Sequence, residues 1–288
     1  MDLRAIVMGL AFSLMWSSAF TSARIIVADA PPLLSLSLRF LISGLLGVLI
    51  ALALGQTWRL TRAQWRATFV FGLCQNALYL GLNFFAMQTV EASLASIIAA
   101  SMPLLVGALG WIFLKERLRP MGVIGLVAGF VGVAIIMSSR IGAGVDVVGV
   151  MLCVLGALAL SIATLAMRGA SSGGNLLMVV GLQMLVGSAI LAVVGGVSET
   201  WDVTWSPPLI AAFAYTTLVP GLLATFVWFV LVERVGAVRA ATFHFLNPFF
   251  GVAIAAMLLG EALGPGDVIG VAVITLGILA VQLSKQMR

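Results

Sequence analysis

The chain is poor in charge. Of its 288 residues, 9% are Asp, Glu, Lys or Arg, against roughly a quarter in a soluble domain. With 62% hydrophobic residues and a mean hydropathy of +1.20, it has too little polar surface to stay dissolved, so its class is integral membrane protein. Cysteine is scarce too. Cys74 and Cys153 both lie in apolar runs, which argues against a disulfide framework and says little of redox compartment. The one histidine, His244, has no carboxylate near it in sequence. There is no H-E-x-x-H motif and no pair of membrane aspartates, so a metal site or an intramembrane enzyme has nothing to stand on. Arg39 is the one cation inside an apolar run, too little positive charge for a dianionic phosphate substrate. The pI of about 10.0 does not point to nucleic acid, because the basic residues sit in short loops between apolar runs.

Those runs are what the sequence has in abundance. Ten are long enough to cross a bilayer, which takes about 20 residues: 5–26, 33–54, 66–88, 92–114, 120–138, 145–167, 175–197, 207–232, 236–260 and 265–284. Arg4 before the first run, with Ala28-Asp29-Ala30 beyond it, superficially resembles a signal peptide. The run is too long and ends well before that site, so it reads as the first membrane helix. The chain also repeats itself. Pro103 and Pro248, Glu116 and Glu261, Pro120 and Pro265, Gly125 and Gly270 are each 145 positions apart. A fixed internal period is the mark of a duplicated architecture. The expected fold is an all-α membrane protein of ten transmembrane helices in two five-helix repeats, residues 1–140 and 141–288.

Orientation follows from Lys and Arg. With the N-terminus inside, Arg4, Arg59, Arg62, Arg66, Lys115, Arg117, Arg119, Arg168, Arg234, Arg239, Lys285 and Arg288 are cytoplasmic, and Arg24 and Arg140 are outside. Both termini are therefore expected in the cytoplasm. A five-helix unit has an odd number of crossings, so its copy is expected upside down, with Glu116 inside and Glu261 outside. Inverted repeats are characteristic of secondary transporters, whose substrate site lies near the midplane.

Polar residues inside these helices are the candidate site residues, because polar groups in hydrocarbon tend to face a bundle interior or a wet cavity. Gln75, Tyr79 and Asn83 fall at i, i+4, i+8 on one face of the third helix, with Asn76 beside them. They read either as a hydrogen-bonding wall for an amino or carboxyl group or as glue between helices. His244 and Asn247 stand directly before Pro248, which removes a backbone hydrogen bond. His244 reads as a substrate contact, as a proton site, or as a neutral histidine bonded to a neighbouring helix. Ser96 and Ser101 flank Pro103 and can serve a substrate or a freed carbonyl. Pro103, Pro220 and Pro248 are candidate hinges. Trp16 and Trp228 lie deep and suit a hydrophobic ligand, whereas Trp58, Trp65, Trp201 and Trp205 at helix ends fit an interfacial belt. Glycines at 122, 125, 129 and 132, and at 266, 270 and 277, predict close packing of the fifth helix on the tenth.

The duplicated five-helix unit, the proline-broken fourth and ninth helices, the Trp16-Ser17-Ser18 turn and the endings Leu114-Lys115-Glu116 and Gly260-Glu261 resemble the drug/metabolite transporter superfamily in its ten-helix EamA branch. More narrowly, the chain resembles bacterial exporters of aromatic amino acids within it. The resemblance covers the whole chain. It implies a bacterial inner-membrane carrier without cofactor that exports small neutral, mainly aromatic or hydrophobic amino acids by alternating access. It also implies a central cavity lined by helices 1, 3, 4, 6, 8 and 9, with the others as support. The membrane glutamate that small multidrug members of the superfamily carry in the first helix is missing here, which favours facilitated diffusion over carboxylate-linked antiport. Export of other metabolites or of hydrophobic cations is the alternative, and a channel or scaffold the cross-class one. Ten helices can enclose a site in a monomer. Because the second helix is peripheral in that branch, outward pairing of Arg39 with Asp29 is favoured over attraction of a substrate carboxylate.

Overall fold

A computed structural model describes residues 2–115, 119–142, 144–166, 173–236 and 240–286. Ten helices in it are long and apolar enough to span a membrane: α1 (Leu3–Asp29), α2 (Pro32–Ala53), α3 (Arg62–Ala86), α4 (Ala92–Leu114), α5 (Pro120–Arg140), α6 (Val147–Leu165), α7 (Leu176–Ser198), α8 (Pro207–Val232), α9 (Thr242–Leu259) and α10 (Pro265–Ser284). The described residues contain no strand. Caps carry several helices past the apolar runs that predict them. Asp2 accepts from Ala5 N at the start of α1, and Ser206 accepts from Leu209 N at the start of α8. Thr61 and Gln64 form a reciprocal capping box that starts α3 at Arg62 rather than at 66. The outside of the bundle is apolar: Leu49, Ile112, Phe113, Val193 and Leu258 are exposed, as a lipid-facing surface requires, and Trp58, Trp65, Trp201 and Trp205 are exposed near helix ends. Cys74 and Cys153 are free.

Two helix pairs pack backbone to backbone. A Cβ added to Gly125 of α5 would stand 2.7 Å from the Gly277 carbonyl of α10, and one on Gly132 would stand 2.9 Å from the Gly270 carbonyl. The predicted pairing of the fifth and tenth helices therefore holds. The α2–α7 pair is built the same way, with Gly44 and Gly47 against Gly181. Around the centre, α1 packs on α8 and α9, α6 packs on α3 and α4, and the first half of α4 packs on α9. Shifting every residue by 145 positions turns this set of pairings into itself.

The inner helices are not regular. In α3, Gly72–Leu80 is π-helical, and so is Val219–Leu223 in α8, over Pro220. α4 breaks at Ser101, between Ala92–Ala100 and Met102–Leu114. α9 begins as a 3-10 turn, Thr242–Leu246, before its α-helical part, Asn247–Leu259. After the 145-position shift, the two π-helical segments overlap. So do the caps of α4 and α9: Lys115 at φ 52° and Gly260 at φ 68° are both left-handed.

Polar ties close the end of the bundle away from the chain termini. Glu199 accepts from the backbone N–H of Leu33 and Leu34 at the start of α2, at 3.0–3.1 Å. Glu261 accepts from Ala92 N at 2.7 Å and Ser93 N at 2.9 Å at the start of α4. A carboxylate on a helix N-terminus meets free N–H groups and the positive end of the helix dipole. Arg140 bridges Glu91 and Asp267. The predicted repeat partner of Glu261, Glu116, lies outside the described residues, as do Arg117, Arg168, Arg239 and Arg288. At the terminal end, Asp2 pairs with Arg234, whose hydrogen bond holds its carboxyl down to about 2 from 3.8. The folded value is depressed, so this pair's contribution is whole above about pH 4 and fades as pH falls towards 2.

The α5–α10 contact leaves no room for a side chain. Gly277→Val should destabilise the protein by about 1–3 kcal/mol, the usual cost of overpacking, read as a lower melting temperature in detergent. Gly196→Ala, where nothing stands within 4 Å, should leave that temperature in place. Equal melting of both variants and the parent would disprove the close contact.

Candidate functional site

The irregular segments meet at a cavity of about 460 Å³ in the middle of the bundle. Its most distinctive wall is aromatic. Phe12 and Trp16, one turn apart on α1, have ring centroids 5.8 Å apart. Trp228 of α8 lies 4.7 Å from Phe12, and His244 of α9 lies 5.1 Å from Trp228 and 5.3 Å from Phe12, edge-on to the latter. α1 is fixed against α9 by two serines next to this wall. Ser13 Oγ donates to Phe243 O at 2.9 Å and Ser17 Oγ to Asn247 O at 3.2 Å.

The rest of the lining carries polar groups on an apolar ground. The π-helical part of α3 supplies Gln75, Asn76 and Tyr79. Bonding from i to i+5 widens the turn, which lets neighbours such as Gln75 and Asn76 share a face that an α-helix would split. The neighbouring helices approach closely there. Gly187 of α7 has no room for a Cβ beside Asn76, and a Cβ on Gly156 of α6 would stand 3.1 Å from Tyr79 O. α9 presents Asn247, whose amide nitrogen lies 3.0 Å from His244 Nδ1. An amide N–H donating to Nδ1 leaves the ring proton on Nε2. Asn247 Oδ1 and Ser96 Oγ are buried, border the cavity and meet no protein partner. No Asp, Glu, Lys or Arg is among the described residues that line this space. It can therefore hold a flat apolar group against rings while offering hydrogen bonds without net charge.

Eight of the ten residues expected to bind substrate surround this one cavity: Trp16, Gln75, Asn76, Tyr79, Ser96, Trp228, His244 and Asn247. Two do not. Asn83 borders a smaller adjoining space, which it shares with Gln75, Asn76 and Tyr79, and its Nδ2 donates to Tyr79 O at 2.7 Å. Ser101 lines neither space. It sits at the break of α4, where its Oγ donates to Ile98 O at 2.6 Å and so is bonded within its own helix. Among the expected hinges, Pro103 borders the large cavity and Pro220 the small one, while Pro248 is buried in the first turn of its helix segment. His244 finds its hydrogen-bond partner on its own helix rather than on a neighbour.

The structure also adds residues. α7, expected only to support, contributes Leu176, Val180, Gln183 and Met184 to the lining, and Thr164 and Thr225 join from α6 and α8. Gln183 could have been found, since it is the one amide in the apolar run of α7. The expected outward pairing of Arg39 with Asp29 does not occur. Asp29 accepts from Ser206 Oγ at 2.8 Å, beside the start of α8, and Arg39, two turns into α2, is 6% exposed at the smaller space.

Ten membrane helices, broken where they surround a central cavity, define the fold of a membrane carrier. The chain belongs to the EamA-like transporter family, whose model matches it twice, at residues 3–138 and 147–283. It is 31% identical over 251 residues to the uncharacterized transporter YvbV of Bacillus subtilis, covering 87% of this chain and 82% of that one. It is 23% identical over 265 residues to Protein PecM of Dickeya dadantii, covering 91% and 86%. A solved crystal structure, 22% identical, shares the fold with a TM-score of 0.69 over 98% of each chain.

At the crossing of α4 and α9, a Cβ on Gly251 would overlap Ser96 Oγ. Gly251→Ala should therefore lower stability by about 1–3 kcal/mol and cut transport, while adding Ser96→Gly should restore both. Thermal melting and flux of the two variants check this, and a double variant as impaired as the single one would refute it.

Proposed function

We propose that this transporter exports small neutral amino acids, mainly aromatic and hydrophobic ones, across a bacterial inner membrane by alternating access. The observation that carries the reading is the aromatic wall of Phe12, Trp16, Trp228 and His244 on an uncharged cavity with unpartnered hydrogen-bonding groups. An aromatic side chain has rings to pack against there, and a zwitterion's polar end has Gln75, Asn76, Gln183 and Asn247 within the same lining. The likeness to the aromatic amino-acid exporter YddG is part of the proposal and rests on the sequence. Hydrophobic cations are the rival cargo, since rings attract cations, but the described lining offers no carboxylate to neutralise one.

In this reading residues 1–140 and 141–288 form two five-helix repeats of opposite orientation that rock about the cavity. Both termini are cytoplasmic, as the loop charges argue. The lining runs from mid-bundle, at Tyr79 and Ser96, to Thr164 and Leu176 near the terminal end, while Glu199, Glu261 and Arg140 tie the other end. That supports a cytoplasm-facing state. One chain encloses the cavity, so the working unit is a monomer, and it is a carrier rather than an enzyme. Among the described residues no acidic side chain borders the cavity, which supports transport down the substrate gradient.

The test is flux into liposomes holding the purified protein, with tryptophan, phenylalanine, alanine and glutamate in parallel, with and without a pH gradient. Saturable flux of the neutral amino acids without a gradient is expected. Trp228→Ala should raise KM for tryptophan by about tenfold, a loss of aromatic packing of roughly 1.4 kcal/mol. His244→Ala should change KM and leave the pH dependence as it was. If no amino acid moves, the substrate class is wrong, and if His244→Ala abolishes a pH-dependent flux, the coupling is wrong.

A further inference from the structure

Behind the aromatic wall a charge stands without a partner. Arg39 of α2 is 6% exposed, and its Nε meets no acceptor. Among the described residues no carboxylate lies within ion-pairing distance of it, since the ion pairs formed belong to Arg140 and Arg234. Its near neighbours do not neutralise it. Cζ lies 5.2 Å from the centroid of the Phe40 ring, and Gly221 packs beside the guanidinium without offering it a side chain. Arginine stays protonated in proteins. A cation held this deep is stabilised by a partner or by the ligand it is kept for.

The space it borders says which ligand. Arg39 lines a cavity of about 60 Å³ that shares Trp16, Gln75 and Tyr79 with the large one. That space is several times smaller than the large cavity, so it suits a carboxylate end group while the large one takes the side chain. Asn83 Oδ1 is buried on the same space without a donor, its amide nitrogen already given to Tyr79 O. An unpaired fork of donors and an unpaired acceptor thus border one pocket beside an aromatic chamber. A guanidinium fork matches a planar carboxylate in two parallel hydrogen bonds.

We propose that Arg39 and Asn83 form a subsite for the carboxylate and ammonium groups of a free amino acid whose side chain occupies the aromatic cavity. This deepens the amino-acid reading and rests on it. Arg39 fixes the carboxylate and gains the partner it lacks in the protein, and Asn83 Oδ1 accepts from the ammonium. An α-carboxylate is then a requirement for tight binding, and amines or alcohols of the same shape are poor ligands.

The test is ligand-dependent melting of the purified full-length protein in detergent, at constant ionic strength, with paired probes: phenylalanine against phenylalaninol, and benzoate against benzyl alcohol. The two acids should raise the melting temperature and the two alcohols should not. Arg39→Gln should abolish the benzoate shift and raise KM for phenylalanine by about tenfold or more, as loss of a charge-assisted pair predicts. Arg39→Lys, which keeps the charge and loses the fork, should retain part of both. The probe pairs on the unaltered protein decide the matter even where Arg39→Gln fails to fold. Equal shifts from acid and alcohol, a benzoate shift that persists in Arg39→Gln, or an equal shift from added chloride would overturn the subsite. Benzoate discrimination with no amino-acid flux would keep the subsite and reject the amino-acid cargo. Saturable phenylalanine flux with KM unchanged in Arg39→Gln would do the reverse.

Discussion

In hydrocarbon a backbone carbonyl without a donor is expensive, and the centre of this bundle is organised by that cost. Three of its helices carry a proline at mid-depth, Pro103, Pro220 and Pro248. Each disrupts a ladder of backbone hydrogen bonds, and each stands in a stretch whose neighbouring carbonyls accept from hydroxyls. Ser13 and Ser17 of α1 donate to carbonyls beside Pro248. Ser101 donates to Ile98 O beside Pro103. Beside Pro220, Ser43 of α2 donates to Thr217 O and Thr225 to Gly221 O. Irregular backbone survives in a membrane only where such partners or a cavity exist, so the places where these helices break are the places where a site can be built. The glycine contacts of α2 with α7 and α5 with α10 hold the surrounding frame close enough for those hydroxyls to reach.

The frame repeats with the 145-position offset, and the chemistry does not. His244 and Asn247 correspond to Ala99 and Met102, and all four border the large cavity. Trp16 corresponds to Ser161, and Trp228 to Asn83. One half thus supplies His244 and Asn247 from its broken helix, and the other supplies small and apolar groups from the matching one. A cavity near a pseudo-twofold axis would otherwise offer a ligand two equal orientations. Putting rings on one side and Arg39 with Asn83 on another gives the cavity a direction, which an asymmetric cargo needs in order to bind in a single pose.

Much of this was legible in sequence, for physical reasons. Apolar runs predicted ten helices, since a bilayer tolerates few charges within a span. The glycine spacing predicted the α5–α10 contact, because only the lack of a Cβ lets two backbones touch. Polar residues in apolar runs marked six of the cavity residues, and the deep tryptophans Trp16 and Trp228 two more. What could not be read depended on geometry between helices. Ser101 and Ser96 look alike in sequence, yet one bonds Ile98 O and the other faces the cavity with Oγ free. The π-helical turn of α3 has no proline to announce it, and the spacing does not show that Gln75, Asn76 and Tyr79 border both spaces while Asn83 borders the smaller one. Arg39 was expected to follow Asp29 outward. Nothing in sequence indicated that Ser206, 177 positions away, would take that carboxylate.

The two ends of the bundle are not equivalent, and this bears on how it moves. The far end holds Arg140 between Glu91 and Asp267. Moved by 145 positions, Glu91 and Asp267 become Gly236 and Gly122, so that network is not repeated, and among the described residues the terminal end is tied by Asp2 and Arg234 instead. Where the far end caps Leu33 N with the Glu199 carboxylate, the terminal end caps Met178 N with the neutral Gln56 amide. Hydrogen bonds to charged groups contribute about 1.5–3 kcal/mol each, against about 1 for neutral ones. A carrier's two states differ by only a few kcal/mol. Ties of that size at either end are enough to weigh on which of two states is favoured. A cargo whose carboxylate pairs with Arg39 would act on the same balance from the centre, at the junction of α2, α3 and α8, where even one charge-assisted pair is comparable to the ties at the ends.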